Sequence, residues 1–208
     1  MLEQLLADLF GDQHLLRQNI IPAEILFGHP GFQRAYHNLQ LSGVHRITLY
    51  AADVARSHDG RWWISGDRTH APAGLGFALE NRVIASRVLP TAYRAINVMR
   101  LAPFFSQLRQ TLRDSAQRFK ENPRIVLLTR GPESPTYFED VYLARYLGYT
   151  LAEGGDLAVR EGRVMLKTLG GLLPVEVIFR RVPDGDCDPV ELAPASLSGI
   201  SGLVDVAR

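Results

Sequence analysis

Ile125-Val126-Leu127-Leu128-Thr129, followed by Arg130-Gly131-Pro132-Glu133-Ser134-Pro135, is the stretch that decides the fold class. Its first segment is apolar until Thr129, the pattern of a short strand buried on both faces. The second segment is rich in turn formers. Ser134 as N-cap and Pro135 at the first helical position predict a helix through Phe138, Val141, Tyr142, Arg145 and Leu147, stopped at Gly148. Tyr149 to Glu153 then returns as a strand, so residues 125–153 read as a β-loop-α-β unit, for which a parallel sheet flanked by helices is the natural setting.

Downstream, Leu157 to Arg160 and Arg163 to Lys167 flank Glu161-Gly162, a hairpin signal, and Val175 to Val182 is a further β-rich run. Asp188-Pro189 is read as opening a final helix. Leu203 to Arg208 reads as a helix in progress with neither cap nor breaker after it, which leads to the expectation that the chain is a fragment. Upstream, residues 2–10 read as an amphipathic helix with Gly11 as its stop, and Pro22 to Phe27 as a second helix. His45 to Asp53 and Arg61 to Ser65 read as an antiparallel hairpin turning at Ser57-His58-Asp59-Gly60. Pro72-Ala73-Gly74-Leu75-Gly76 is a loop whose small residues permit close backbone approach. Residues 78–88 and 103–119 carry helical periodicity, with Pro90 and Pro103 preventing one continuous helix. The expected class is α/β, a mixed α+β chain, divided into 1–121 with helices and hairpin and 122–208 with a mixed sheet.

Composition narrows the function only by exclusion. The 208 residues are 46% hydrophobic with a formal net charge of +1, which gives no basic footprint for nucleic acid. No run approaches the roughly 18 apolar residues of a membrane span, and Met1-Leu2-Glu3-Gln4 lacks a basic signal start. A cytoplasmic protein with no nucleic-acid or membrane partner is expected. Cys187 is the only cysteine, which excludes an internal disulfide, and its neighbours Asp186 and Asp188 disfavour a thiolate. Neither G-x-G-x-x-G nor G-x-x-x-x-G-K-[ST] occurs, and no G-x-S-x-G or H-E-x-x-H.

Candidate site residues gather in four places. Thr129, Arg130 and Ser134 precede a helix N-terminus, where free N–H groups favour an anion, although an ordinary connection explains them as well. Asp53 closes one hairpin strand and Asp67-Arg68 the other. Carboxylates on adjacent strands suit magnesium and nucleotide phosphates, and equally suit a turn cap and a surface ion pair. Asn81 and Arg82 are either a polar site or the exposed turns of a helix. Arg180-Arg181 ends an apolar strand, a position that often borders a ligand cleft.

At these residues the sequence resembles the circularly permuted type 2 ATP-grasp family, relatives of the glutathionylspermidine-synthase-like ligases. The matching pieces are Tyr50-Ala51-Ala52-Asp53, Asp59-Gly60-Arg61-Trp62-Trp63, Asp67-Arg68-Thr69-His70-Ala71-Pro72-Ala73-Gly74 and Ala78-Leu79-Glu80-Asn81-Arg82. The later half adds Tyr137-Phe138-Glu139, residues 143–149, Lys167-Thr168-Leu169, Arg180-Arg181-Val182 and Asp188-Pro189-Val190-Glu191-Leu192. The resemblance implies a Rossmann-like pre-ATP-grasp β-α-β domain from residue 122 onward, and ATP with magnesium as cofactors of the parent enzyme. The implied reaction is a carboxylate–amine ligation through an acyl phosphate on amino-acid or peptide-like substrates. It also implies roles: Asp53 and Asp67 for metal, Arg68 for phosphate neutralisation, Arg180 or Arg181 for the substrate carboxylate. The family's metal hairpin has an acid on one strand and E-x-N on the next. Matching Asp53 to the first acid puts Gly66 at the Glu position and Arg68 at the Asn position. Weak or no ATP binding and no turnover are therefore expected of residues 1–208 alone. A non-catalytic binding or scaffold module derived from the same fold is the alternative, and a homo-oligomer is left open.

Overall fold

In the computed structural model, residues 1–39, 45–116 and 121–208 are described. In chain order the elements are α1 (Leu2–Leu9), α2 (His14–Arg17), α3 (Ala23–Phe27), β1 (Ala51–Arg56), β2 (Trp62–Arg68), α4 (Leu75–Val88), α5 (Pro90–Ala95) and α6 (Ala102–Asp114). Then follow β3 (Ile125–Leu128), α7 (Tyr137–Leu147), β4 (Thr150–Ala152), β5 (Leu157–Arg160), β6 (Arg163–Thr168), β7 (Gly171–Pro174), β8 (Val177–Arg180) and α8 (Leu203–Ala207). The chain is a mixed α/β protein. It forms two compact units, each assembled from separate stretches: 73–153 with 174–181, and 1–72 with 154–173 and 182–208. The sequence reading expects a single division after residue 121.

The unit containing 73–153 is built on the β-loop-α-β segment. Its sheet has the order β4-β3-β8, all parallel, with β3 at the centre. Ile125 to Leu128 are all buried, the pattern of an apolar central strand in a parallel sheet packed against helices. Helix α7 packs on β3 and β4, α6 on β8, and α4 on α7. Burying Leu143 and Leu147 of α7 contributes about 1.5–3 kcal/mol each. Gly148 takes φ +77°, the left-handed stop that its sequence position predicts.

Helix α7 begins at Tyr137 with Thr136 as N-cap, later than the expected Ser134 cap. The physical reason lies in two consecutive turns, Ser134 N–H to Gly131 carbonyl and Tyr137 N–H to Ser134 carbonyl, which use the backbone groups an earlier helix start would need. The expected helix 103–119 is α6, ending at Asp114, and its last expected positions through Phe119 reach beyond the described residues. The run 175–182 contains one shorter strand, β8, over Val177–Arg180. The Arg124 N–H donates to the Glu176 carboxylate (2.6 Å), and Glu176 lies in the gap between β7 and β8.

The other unit carries α1 to α3, the β1–β2 hairpin, the sheet β5-β6-β7 and α8. Strand β1 starts six residues later than the expected His45 and runs past Asp53 to Arg56. The reason is that the Arg46 and Ile47 N–H groups donate to the Glu3 carboxylate rather than to a strand partner. Glu161 and Gly162 both take positive φ (52° and 68°) between β5 and β6, as a tight hairpin turn requires. Asp188-Pro189 opens a single turn instead of a helix. The Asp188 carboxylate is fully buried and accepts N–H bonds from Val190, Gly202 and Val204, so it caps α8 from a distance.

Candidate functional site

In an open parallel sheet, ligands lodge outside the carboxyl ends of the strands where the strand order reverses. Here β3 leads through α7 to β4 on one side while β8 lies on the other, so that point falls between β3 and β8. Thr129 and Arg130 leave the end of β3, and Arg181 leaves the end of β8. The ladder continues into both: Thr129 N–H donates to Ala152 and Arg181 N–H to Leu128 (both 2.9 Å).

A buried polar cluster is assembled there. Arg181 Nε lies 3.1 Å from Asp140 Oδ1, and its Nη2 lies 3.4 Å from Glu139 Oε1, with all three side chains almost fully enclosed. The Thr129 hydroxyl donates to Asp140 Oδ2 at 2.7 Å. Glu139 in turn accepts the Gly74 N–H (2.9 and 2.8 Å to its two oxygens) and the Gly76 N–H (3.3 Å). Those are the unpaired donors at the start of α4, where a carboxylate is favoured by both hydrogen bonding and the helix dipole. A Cβ at Gly76 would stand 2.8 Å from Glu139 Cγ, so only glycine allows this approach. Arg181 thus joins the ends of two strands to the first turns of two helices.

Two carboxylates share one guanidinium in this enclosure. Burial pushes the Asp140 carboxyl above its ordinary range, the bonds from Thr129 and Arg181 pull it back, and the Glu139 charge adds to the upward push. Arg130 at the rim is exposed, Arg180 is half-buried, and Ser134 Oγ stands 3.0 Å from Thr136 Oγ1. Gly131, at φ +90°, brings the loop against Glu153 from the end of β4. Asn81 is exposed on α4, and Arg82 lies over the Tyr93 ring at 6.0 Å.

The hairpin places its residues differently. The register pairs Asp53 with Gly66 and Ala52 with Asp67, so Asp53 and Asp67 lie on opposite faces. Arg68 Nε is 3.0 Å from both Asp53 oxygens and its Nη2 is 2.8 Å from Oδ2. That bond, and then the Asp53 charge, raise the Arg68 guanidinium further above its already high value. Asp67 accepts the Tyr50 hydroxyl at 2.6 Å, which raises the Tyr50 phenol. Among the described residues no three His, Cys, Asp or Glu side chains form a metal-binding group.

A cavity of about 400 Å³ opens beside β5 and β6, lined by Arg160, Lys167, Ser196, Ser201 and the glycines 154 and 199. Lys167 Nζ donates to the Gly155 carbonyl at 2.7 Å. Glycine is required at 154 and 199, since a Cβ at either would come within 2.3 Å of a backbone carbonyl oxygen.

Sequence reasoning singles out Thr129 and Arg181 but passes over Glu139 and Asp140 as site residues. A signal exists: Asp140 precedes Leu143, Ala144 and Leu147 by three, four and seven residues, so it shares their apolar face.

A family model described as circularly permuted ATP-grasp type 2 matches residues 1–208. Among curated proteins, the chain is 37% identical over 205 residues to Uncharacterized protein Rv2567 of Mycobacterium tuberculosis, covering 99% of this chain and 23% of that one. It is 34% identical over 207 residues to Rv2411c of the same organism, covering all of this chain and 38% of the relative. With sll0335 of Synechocystis the identity is 32% over 203 residues, 98% of this chain and 42% of the relative. The chain therefore spans less than half the length of these relatives.

Proposed function

The chain belongs to the circularly permuted ATP-grasp type 2 family, and on that premise we propose that it is part of an ATP-dependent carboxylate–amine ligase. The substrate class is amino-acid or peptide-like. In this reading the substrate carboxylate attacks the terminal phosphorus of ATP, giving an acyl phosphate and ADP. An amine then displaces phosphate and forms the amide. The observation that carries the reading is the family match along all 208 residues. A cytoplasmic location accords with ATP as co-substrate, and no helix among the described residues is long and apolar enough to cross a membrane.

The parallel-sheet edge supplies the substrate side. Arg130 and Arg180 are proposed to hold the carboxylate, with Ser134 as a further donor, because a guanidinium pairs with a carboxylate in a bidentate fork. Thr129 and Arg181 act as positioning residues, fixed by Asp140 and Glu139, so that the loop after β3 keeps its shape when an anion arrives. Asn81 and Arg82 are assigned to the wall of the substrate region.

The hairpin residues do not fit a magnesium ion. Asp53 is engaged by Arg68, Asp67 faces the other way, and Gly66 offers no ligand. The same observation favours a second reading, a non-catalytic nucleotide-binding or scaffold module. Phosphate release from ATP by the native gene product, screened against pairs of acids and amines, decides between them. Release that depends on both an acid and an amine is expected of the ligase. No release with no ATP binding contradicts it, and ATP binding without release supports the module.

A further inference from the structure

We propose that the Arg68 guanidinium is the built-in cation of the β1–β2 hairpin, holding Asp53 in the place where a divalent metal ion would otherwise sit. The inference rests on the family reading for the expectation of a cation there, and on the hairpin's own geometry for the replacement. Gly66 stands directly across the ladder from Asp53, and a Cβ added to it would lie 3.1 Å from Asp53 Oδ2. Position 66 is therefore the one from which a second carboxylate would join Asp53 on the same face. Arg68 shares that face and covers both Asp53 oxygens through Nε, with Nη2 on Oδ2. A divalent ion needs several oxygen ligands at once. Here the first carboxylate is neutralised, the second is absent, and Asp67 is turned away and bonded to Tyr50.

The role of Arg68 follows from charge balance. One guanidinium compensates one carboxylate and leaves the hairpin face neutral without any bound ion. A divalent ion beside a lone Asp53 would have to displace Arg68, losing its bonds to both oxygens and placing two cations together. Removing Arg68 and adding a carboxylate opposite Asp53 reverses both changes.

Manganese, a spin-active probe for hard divalent sites, tests this without reference to activity. Free Mn²⁺ is titrated by electron paramagnetic resonance into wild type, Asp53→Asn, and the double variant Gly66→Glu/Arg68→Asn, with circular dichroism to verify folding. Wild type is expected to show no stoichiometric site that Asp53→Asn removes, and the folded double variant to bind one Mn²⁺ at least tenfold more tightly than wild type. Stoichiometric Mn²⁺ binding by wild type that Asp53→Asn abolishes overturns the inference, as does a folded double variant that binds no better. The wild-type comparison stands even when the double variant does not fold. Wild-type binding at Asp53 would sink this inference and leave the ligase reading intact, whereas absent phosphate release would sink the ligase reading alone.

Discussion

Arg181 and Arg68 each approach an aspartate through Nε at 3.0 to 3.1 Å, yet the Arg181 side chain is 2% exposed and that of Arg68 is 63% exposed. The buried assembly draws in the Thr129 hydroxyl and the Gly74 and Gly76 N–H groups as donors, since an unpaired charge in that enclosure would be expensive. The hairpin pair is screened by solvent and needs no such support. The same two chemical groups therefore organise a strand-end junction in one place and balance a surface charge in the other. Surroundings, not residue type, assign the role.

The largest effect is expected from Arg181→Met, which leaves Glu139 and Asp140 buried without their cation and costs about 3–5 kcal/mol. Urea unfolding measures it, and a loss below about 1 kcal/mol would break the comparison. Gly76→Ala comes next, at about 1–3 kcal/mol, because its Cβ would collide with Glu139 Cγ. A melting temperature equal to wild type would show that α4 can shift away from Glu139. Asp188→Ala strands the N–H groups of Val190, Gly202 and Val204 and is expected to cost on the order of 1–3 kcal/mol.

Acid titration sharpens the contrast between the two buried aspartates. Burial pushes the Asp188 carboxyl up, but the N–H groups of Val204, Val190, Gly202 and Glu191 outweigh it and hold the carboxyl below its ordinary range. Its contribution to stability is present above the unfolded value of about 4 and is lost as pH falls through the lower folded value. Asp140, raised in the folded state, has the opposite sign: the native state binds the extra proton, so stability declines as pH rises from about 4 through the higher folded value. Asp188→Asn should remove the acid-side loss and Asp140→Asn the decline above it, in unfolding curves collected across pH. Matching pH profiles for the two variants would contradict the assigned signs. The smallest effect belongs to Asp53→Asn, which should shift the melting temperature less than any of these and vanish in high salt.

The β-loop-α-β unit was legible because its signals are local: an apolar run, turn formers and a glycine stop at 148. The β5–β6 hairpin was legible through Glu161-Gly162 for the same reason. Strand β1 starts later than its sequence pattern suggests because Glu3, more than forty residues away, satisfies the 46–47 backbone, and the helix expected at Asp188 does not form because that carboxylate caps α8. Resemblance brought Arg181 forward as a carboxylate ligand; its pairing with Glu139 and Asp140 needs the fold, since these residues are about forty positions apart. The opposite facing of Asp67 and Arg68 on β2 follows from strand alternation, which is local.

The proposed chemistry moves one carboxylate oxygen of the substrate into the released phosphate. The native gene product, given ATP, amines and amino acids labelled with oxygen-18 in the carboxylate, tests this directly by mass spectrometry of the phosphate. One labelled oxygen is expected in each phosphate formed during amide synthesis. Phosphate released without label, as simple hydrolysis of ATP by water gives, would contradict it.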